Sequence, residues 1–280
     1  NTYRKATVEF NGGSKTVQYA MMAGYTGGTG LENVGKRSDL NRMSARGNLD
    51  IAVTDFLTVS ADVAGRIESK AWGAKDGGGI FGILSTNRPN EYPFIISQEY
   101  MAGNSDLVVN QDGTPLFGAS TNVVDNLYAD MVYGGETEER YVNSQTNLGL
   151  DFDFDKYVKG LTAEAYVTFD NYSFLRHQQR DTYPTYAIDS YLDENNQEVV
   201  RFTQMKALNK SAAQNISSNQ TYRNFGWRAN VGYARTLNNV HDLSAVASYR
   251  YIKSENSGST QDLKDQNTTL RLNYSYDKRY

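Results

Sequence analysis

The chain holds two imidazoles, His177 in "FLRHQQRD" and His241 in "LNNVH", and no cysteine. A protein zinc site takes three or four nitrogen, sulfur or carboxylate ligands, usually with several His or Cys among them. Two histidines far apart in sequence do not supply that set, and His241 reads as a turn residue. The serines have no His at a spacing that would make a nucleophile and its base. "DENNQE" (193–198) carries the carboxylates and amides that calcium uses, but without the spacing or the glycine of an EF-hand loop, so it reads as a solvated hairpin tip. "GGTG" (27–30) and "DGGGI" (76–80) are glycine-rich, yet neither has a Walker lysine or an evident strand-to-helix setting. No catalytic residue, no metal site and no cofactor is expected.

The remaining candidates are rings. Trp72, Tyr92, Tyr100, Tyr128, Tyr183, Tyr186 and Tyr191 lie among Asp, Asn, Gln and Arg in segments without strand patterning. Aromatic faces with amide and carboxylate neighbours hold polar, oriented ligands such as sugars. The same rings could instead form small loop cores or pack on a partner protein.

The elements that would carry these segments are strands. Period-two alternation predicts nine, at 3–11, 14–25, 41–53, 57–66, 141–153, 161–173, 222–236, 242–253 and 266–277. In "RMSARGNLDIAV", Leu49 and Ile51 alternate with Arg42, Arg46, Asn48 and Asp50. In "YRNFGWRANVGYART", Phe225, Trp227, Val231 and Tyr233 alternate with Arg228 and Asn230, and Arg271 takes the polar parity in the final strand. A soluble sheet turns its apolar side to a core, and a membrane barrel turns it to lipid.

The connections separate the two. Short ones at 11–14, 54–56, 154–160 and 237–241 alternate with long ones at 26–40, 67–140, 174–221 and 254–265. All four prolines, Pro89, Pro93, Pro115 and Pro184, fall in the two longest, away from any ladder they would interrupt. Within these segments "VVNQDGTPLF" (108–117) and "YLDENNQEVVRF" (191–202) read as small hairpins. Short turns at one end and long loops at the other are the pattern of an outer-membrane barrel, with periplasmic turns and extracellular loops. Aromatic residues toward the strand ends fit the girdles of such a barrel. The expected fold class is therefore all-β, an antiparallel transmembrane β-barrel. On this reading Leu49, Ile51, Phe225, Trp227, Val231 and Tyr233 face lipid. Arg42, Arg46, Asn48, Asp50, Arg228, Asn230 and Arg271 face the lumen. No apolar run approaches the ~20 residues of a helical span. A net charge of −4 argues against nucleic acid as a partner. An odd strand count does not close a single-chain bacterial barrel, so residues 1–280 are expected to form one arc of a larger one. A passive porin, an outer-membrane enzyme and a soluble glycan-binding β protein are the alternatives.

Several stretches resemble the SusC/RagA-like TonB-dependent transporters of Bacteroidetes outer membranes. They are "NGGSKTVQYAMMAGYTGGTG" (11–30), "RSDLNRMSARGNLDIAVTDFLTVSADVAGRI" (37–67), "YVKGLTAEAYVTFDNY" (157–172), "YARTLNNVHDLSAVASYRY" (233–251) and "LRLNYSYDKRY" (270–280). The resemblance follows the strands in order and hardly touches the long connections. It implies a barrel of about 22 strands around an N-terminal plug. It also implies import of oligosaccharides or peptides driven by the TonB complex, under a SusD-like surface lipoprotein. The plug and the TonB-contacting part are absent from the pattern of this chain, and coupling to TonB would run through them.

Overall fold

The computed structural model describes residues 1–97, 115–210 and 215–277. In chain order its elements are β1 (Tyr3–Gly13), β2 (Val17–Thr29), β3 (Asp39–Thr54), β4 (Leu57–Gly73), α1 (Gly77–Thr86), β5 (Phe117–Ala119), α2 (Leu127–Tyr133), β6 (Gly135–Asp153), β7 (Leu161–Arg180), β8 (Thr185–Leu192), β9 (Glu198–Lys206), β10 (Asn215–Leu237), β11 (His241–Asn256) and β12 (Leu263–Tyr276). Nine strands form one antiparallel sheet in the order β1-β2-β3-β4-β6-β7-β10-β11-β12. β5, β8 and β9 form a separate three-stranded sheet. The nine expected strands are the nine of the large sheet.

Four of them run six or seven residues further than the alternation suggested. β4 continues to Gly73, β6 begins at Gly135, β7 reaches Arg180 and β10 begins at Asn215, each extension lying at the long-loop end. Hydrophobic alternation marks only the length of a strand that has an apolar side. Beyond that length apolar side chains no longer keep to one face, yet the cross-strand N–H···O=C ladder continues without needing them.

Register carries the two-faced pattern across the whole sheet. One row runs Tyr19, Leu49, Ala61, Leu148, Val167, Trp227 and Tyr251 over seven neighbouring strands. The adjoining row runs Ala20, Asn48, Asp62, Asn147, Thr168 and Gly226. Because side chains alternate, these rows lie on opposite faces. Arg42, Arg46, Asn48, Asp50, Arg228, Asn230 and Arg271 share the polar face, whereas Leu49, Ile51, Phe225, Trp227, Val231 and Tyr233 share the apolar one. On β10 the apolar stretch from Phe225 to Tyr233 is about 27 Å long at ~3.4 Å per residue. At the tilt of membrane barrels that is roughly 20 Å of height, on the order of their ~25 Å apolar band.

Among the described residues nothing covers this face. Leu270 keeps 71% of its surface, Leu148 54% and Val231 50%. A β-sandwich would seal such residues under a second sheet about 10 Å away. The buried hydrophobic residues lie elsewhere: Ala74, Ile96, Leu116, Phe117, Ala119, Leu127, Ala129 and Tyr183 in the long connections, with Phe174 on the polar face of β7.

The turns follow local chemistry. Asn238 and Asn239 both adopt positive φ (52° and 56°) between β10 and β11, a conformation that amide side chains tolerate. At the β6–β7 turn Gly160 has φ +78°, and a Cβ there would meet Ala234 O at 1.9 Å. Its N–H donates to Asp155 Oδ1 at 2.8 Å, and the Lys159 ammonium lies 2.9 Å from Asp155 Oδ2. Together they hold this carboxyl below its ordinary pKa. The 191–202 segment is a hairpin of β8 and β9, turned at Asn196 (φ 60°), with the Asp193 carboxylate accepting from Asn195 and Gln197 N–H at 2.8 Å each. The acidic tip thus spends a carboxylate oxygen on its own backbone. Of the expected 108–117 hairpin, residues 108–114 lie outside the described residues, and Phe117 pairs in parallel with Thr185.

Two helices were not legible. "GGGIFGILST" has the glycines of a turn, yet after β4 it opens α1, with Asp76 Oδ1 accepting from Gly79 N–H at 2.7 Å as N-cap. The "DGGGI" run therefore does have the strand-to-helix setting that its sequence did not suggest.

Candidate functional site

The aromatic candidates divide into two groups. Tyr183 is 3% exposed and forms a core with Phe117 and Ala129, against which Tyr128 and Tyr133 pack. Phe117 stands 5.4 Å from both the Tyr183 and Tyr133 rings, edge-on to the former. Tyr183, one of the ligand-contact candidates in the sequence, has its ring enclosed and its hydroxyl committed. That hydroxyl lies 2.8 Å from Asn126 O and 2.5 Å from Asp130 Oδ1. Burial, reinforced by the Asp130 carboxylate, pushes its pKa far above the ordinary tyrosine value. Tyr128 packs on Phe94 (6.3 Å) and Phe117 (6.4 Å), and Tyr92 on Phe94 (6.4 Å). These rings build a loop core.

Asn126, fully buried, ties that core together. Its amide donates to Gly118 O (2.8 Å) and Phe94 O (3.0 Å), while its Oδ1 accepts from Ala129 N–H (3.1 Å) and caps α2. Sequence reasoning missed it. An Asn immediately before the run Leu127–Tyr133 was the available signal. Tyr186 is half-buried, and Tyr191 is exposed beside the Arg201 guanidinium (5.9 Å). Tyr100 lies outside the described residues.

Trp72 belongs to the second group. It sits near the outer end of β4, not in a loop, and on the polar face, where it lines an open pocket of about 630 Å³. Lys70, Glu139, Tyr141 and Arg176 line the same pocket from β4, β6 and β7, and Asp76 contributes from the start of α1. Register explains the convergence: Lys70 opposes Glu139, which opposes Arg176, and Arg42 opposes Glu68, which opposes Tyr141. Alternate residues of four neighbouring strands thus meet on one side.

The charges form a network. Arg42 Nε donates to Glu68 Oε2 at 2.6 Å and Lys70 Nζ lies 3.1 Å from Glu68 Oε1. Arg176 Nε donates to Glu139 Oε1 at 2.7 Å with a second contact from Nη2, and the Tyr141 hydroxyl donates to Glu139 Oε2 at 2.8 Å. Lys70 stands over the Tyr141 ring (4.9 Å) and Arg176 over Phe174 (5.6 Å). Glu68 and Glu139 are only 4% and 5% exposed, whereas the side chains of Lys70 and Arg176 are 40% and 42% exposed. The carboxylates are therefore the floor and the cations the accessible surface. A buried carboxylate is tolerated only with such partners, and removing one cation leaves an uncompensated charge. At the mouth, Ser38 Oγ donates to Glu32 Oε1 at 2.6 Å. Partial burial acts to raise the Glu32 pKa, but this bond and the Arg37 guanidinium outweigh it and hold the carboxyl below its ordinary value.

The other polar-face candidates are further along the strands. Glu164 accepts from Arg228 (2.6 Å) and Asn230 (2.9 Å), and Arg271 donates to Asn273 Oδ1 at 3.2 Å. Arg228 directly opposes Arg250, a repulsive pair relieved because Arg250 has its own carboxylate, Asp265, at 2.9 Å. On the apolar face Trp227 packs on Tyr249 at 4.9 Å. His241 Nδ1 lies 2.8 Å from the Tyr274 hydroxyl beside the last short turn, and His177 opposes Glu138 on β6, so the two histidines do not meet.

No protein-family model matches the sequence, and no curated protein is similar to it. Among solved structures, the chain is similar to the RagAB peptide transporter, with 16% identity and a TM-score of 0.53, over 99% of this chain and 30% of that one. It is also similar to the RagAB peptide importer in its closed-closed state (16% identity, TM-score 0.54) and in its open-open state (16% identity, TM-score 0.53), in each case over 98% of this chain and 30% of the other. The chain thus spans about 30% of the length of these RagAB structures. At this identity the similarity concerns the fold, which is a wall of antiparallel strands of the outer-membrane β-barrel kind.

Proposed function

We propose that this chain is part of an outer-membrane nutrient importer of a Gram-negative bacterium. In this reading the apolar face, with Leu49, Ile51, Phe225, Trp227, Val231 and Tyr233, meets lipid. The polar face, with Arg42, Arg46, Asn48, Asp50, Arg228, Asn230 and Arg271, lines an aqueous lumen. The short turns are periplasmic and the long connections extracellular. Substrates are oligosaccharides or peptides, handed over by a SusD-like lipoprotein at the long-loop end. Energy comes from the TonB complex through a plug-bearing part outside this chain, and the role is transport rather than catalysis.

One observation carries the reading. A single parity rule holds over nine strands and leaves their apolar face uncovered, where a soluble monomer rarely exposes a contiguous apolar patch beyond a few hundred Å². The similarity to RagAB structures described as a peptide transporter and importer supports a transport role and favours peptides among the substrates.

The test takes the full-length protein in its native host. The protein is expected in the detergent-extracted outer-membrane fraction, and a folded monomer released by buffer alone would end the membrane reading. Uptake of labelled peptide or oligosaccharide should stop on deletion of the gene and equally on loss of TonB. Uptake that survives the loss of TonB would point to a passive porin.

A further inference from the structure

The pocket at the outer end of β4, β6 and β7 leaves hydrogen-bonding capacity unused. A guanidinium has five N–H groups. Arg176 commits two of them to Glu139, which leaves three. A lysine ammonium has three donors, of which Lys70 directs one to Glu68. With Asp76 at the start of α1 as a third carboxylate the charges balance, three cations, Arg42, Lys70 and Arg176, standing over Glu68 and Glu139. The carboxylates are below and enclosed, so the unused donors are the ones a molecule entering the pocket would meet. Trp72 and Tyr141 place ring surface beside them.

We propose, resting on the importer reading, that this pocket holds one carboxylate of the transported molecule. The carboxylate is bound by Arg176 and Lys70, with an adjoining ring or apolar group against Trp72. Arg176 suits the task because its fork is already oriented by Glu139 and its free edge matches the two oxygens of a carboxylate. The opposite wall limits the charge of the ligand. Asp76, whose Oδ1 is held by the α1 cap, would repel a second anionic group. The site therefore takes a single carboxylate, as a peptide C-terminus or one uronic acid would supply, and disfavours polyanions.

The test uses the full-length protein purified in detergent, titrated by calorimetry with four probes. These are N-acetyl-trialanine, its C-terminal amide, maltotriose and a trisaccharide ending in one uronic acid. Each acid should bind about tenfold more tightly than its neutral counterpart, the scale of one charge-assisted contact. The tighter of the two acids identifies the source of the carboxylate. Lys70→Met, which leaves Glu68 paired with Arg42, and Arg176→Lys, which keeps a cation for Glu139 but removes the fork, should each bring that ratio toward one. An acid-to-neutral ratio of one in the unaltered protein, or a ratio that survives both substitutions, overturns the proposal. If either result comes from protein that migrates as a heat-modifiable folded barrel, the importer reading survives. A protein that stays soluble and folded without detergent overturns both.

Discussion

The wall and the loop core at its outer end are stabilised in opposite ways. In the large sheet, no large apolar side chain on the apolar face is buried within the chain, and cohesion comes from continuous ladders between neighbours. In the loop core the order is reversed. A few rings, Phe117, Tyr183 and Tyr133, are packed at 5.4 Å around one buried amide, and backbone groups that have no ladder are satisfied by Asn126. The wall therefore needs a nonpolar solvent to be a stable object, while the loop core is a small water-soluble fold carried on it.

A charge placed on the apolar side of the wall strikes this contrast hardest. Val231→Arg should cost about 2 to 4 kcal/mol in equilibrium unfolding from phospholipid vesicles, because it places a charge near the bilayer midplane. Asn230→Arg, one residue away on the polar face, should cost far less. Equal effects would remove the distinction between the faces.

The next effect belongs to the loop core. Asn126→Ala leaves two carbonyls and the Ala129 N–H without their partner, at a cost of about 1 to 3 kcal/mol. Hydrogen exchange should rise in 115–133 and 183–206 and stay unchanged in β10 and β11. A loss spread over the wall would show the two regions to be one cooperative unit.

The smallest effect is a pH dependence confined to the loops. Tyr183 is neutral in the fold and its folded pKa lies above the ordinary value of about 10. Below that value the tyrosine holds its proton whether folded or unfolded, and its contribution is constant. Above it the unfolded chain loses the proton first, so the loop core weakens as pH rises past about 10. Protease cleavage in the long connections, followed against tyrosinate absorbance, should begin there. Tyr183→Phe should abolish that onset.

Most of the wall was legible because alternation and register act together. A strand with one apolar side has only one parity in which to pair, so Leu49, Val167 and Trp227 could be assigned to a shared face from sequence alone. The strand extensions of β6 and β10 were not legible, since Glu136 to Arg140 and Ser217 to Thr221 are polar on both sides. The helices were hidden for a different reason: glycines in "GGGIFGILST" suggest a turn until Asp76 and the end of β4 supply a cap and an anchor.

The candidate site divides along the same line. Which residues could hold a polar ligand was visible as a set of rings near charges. Which of them do the packing was not, because Tyr183 and Trp72 look alike in sequence and differ only in what surrounds them.

Taken alone, the order of residues determined the strand count, the polarity of each face and the segregation of short and long connections, all of which are local or periodic properties. Tertiary structure alone decided that Lys70, Glu139 and Arg176 stand in one row with Trp72 above them. Their positions in the chain are dozens of residues apart, and only cross-strand register, a long-range hydrogen-bonded match, brings such residues within reach of one another.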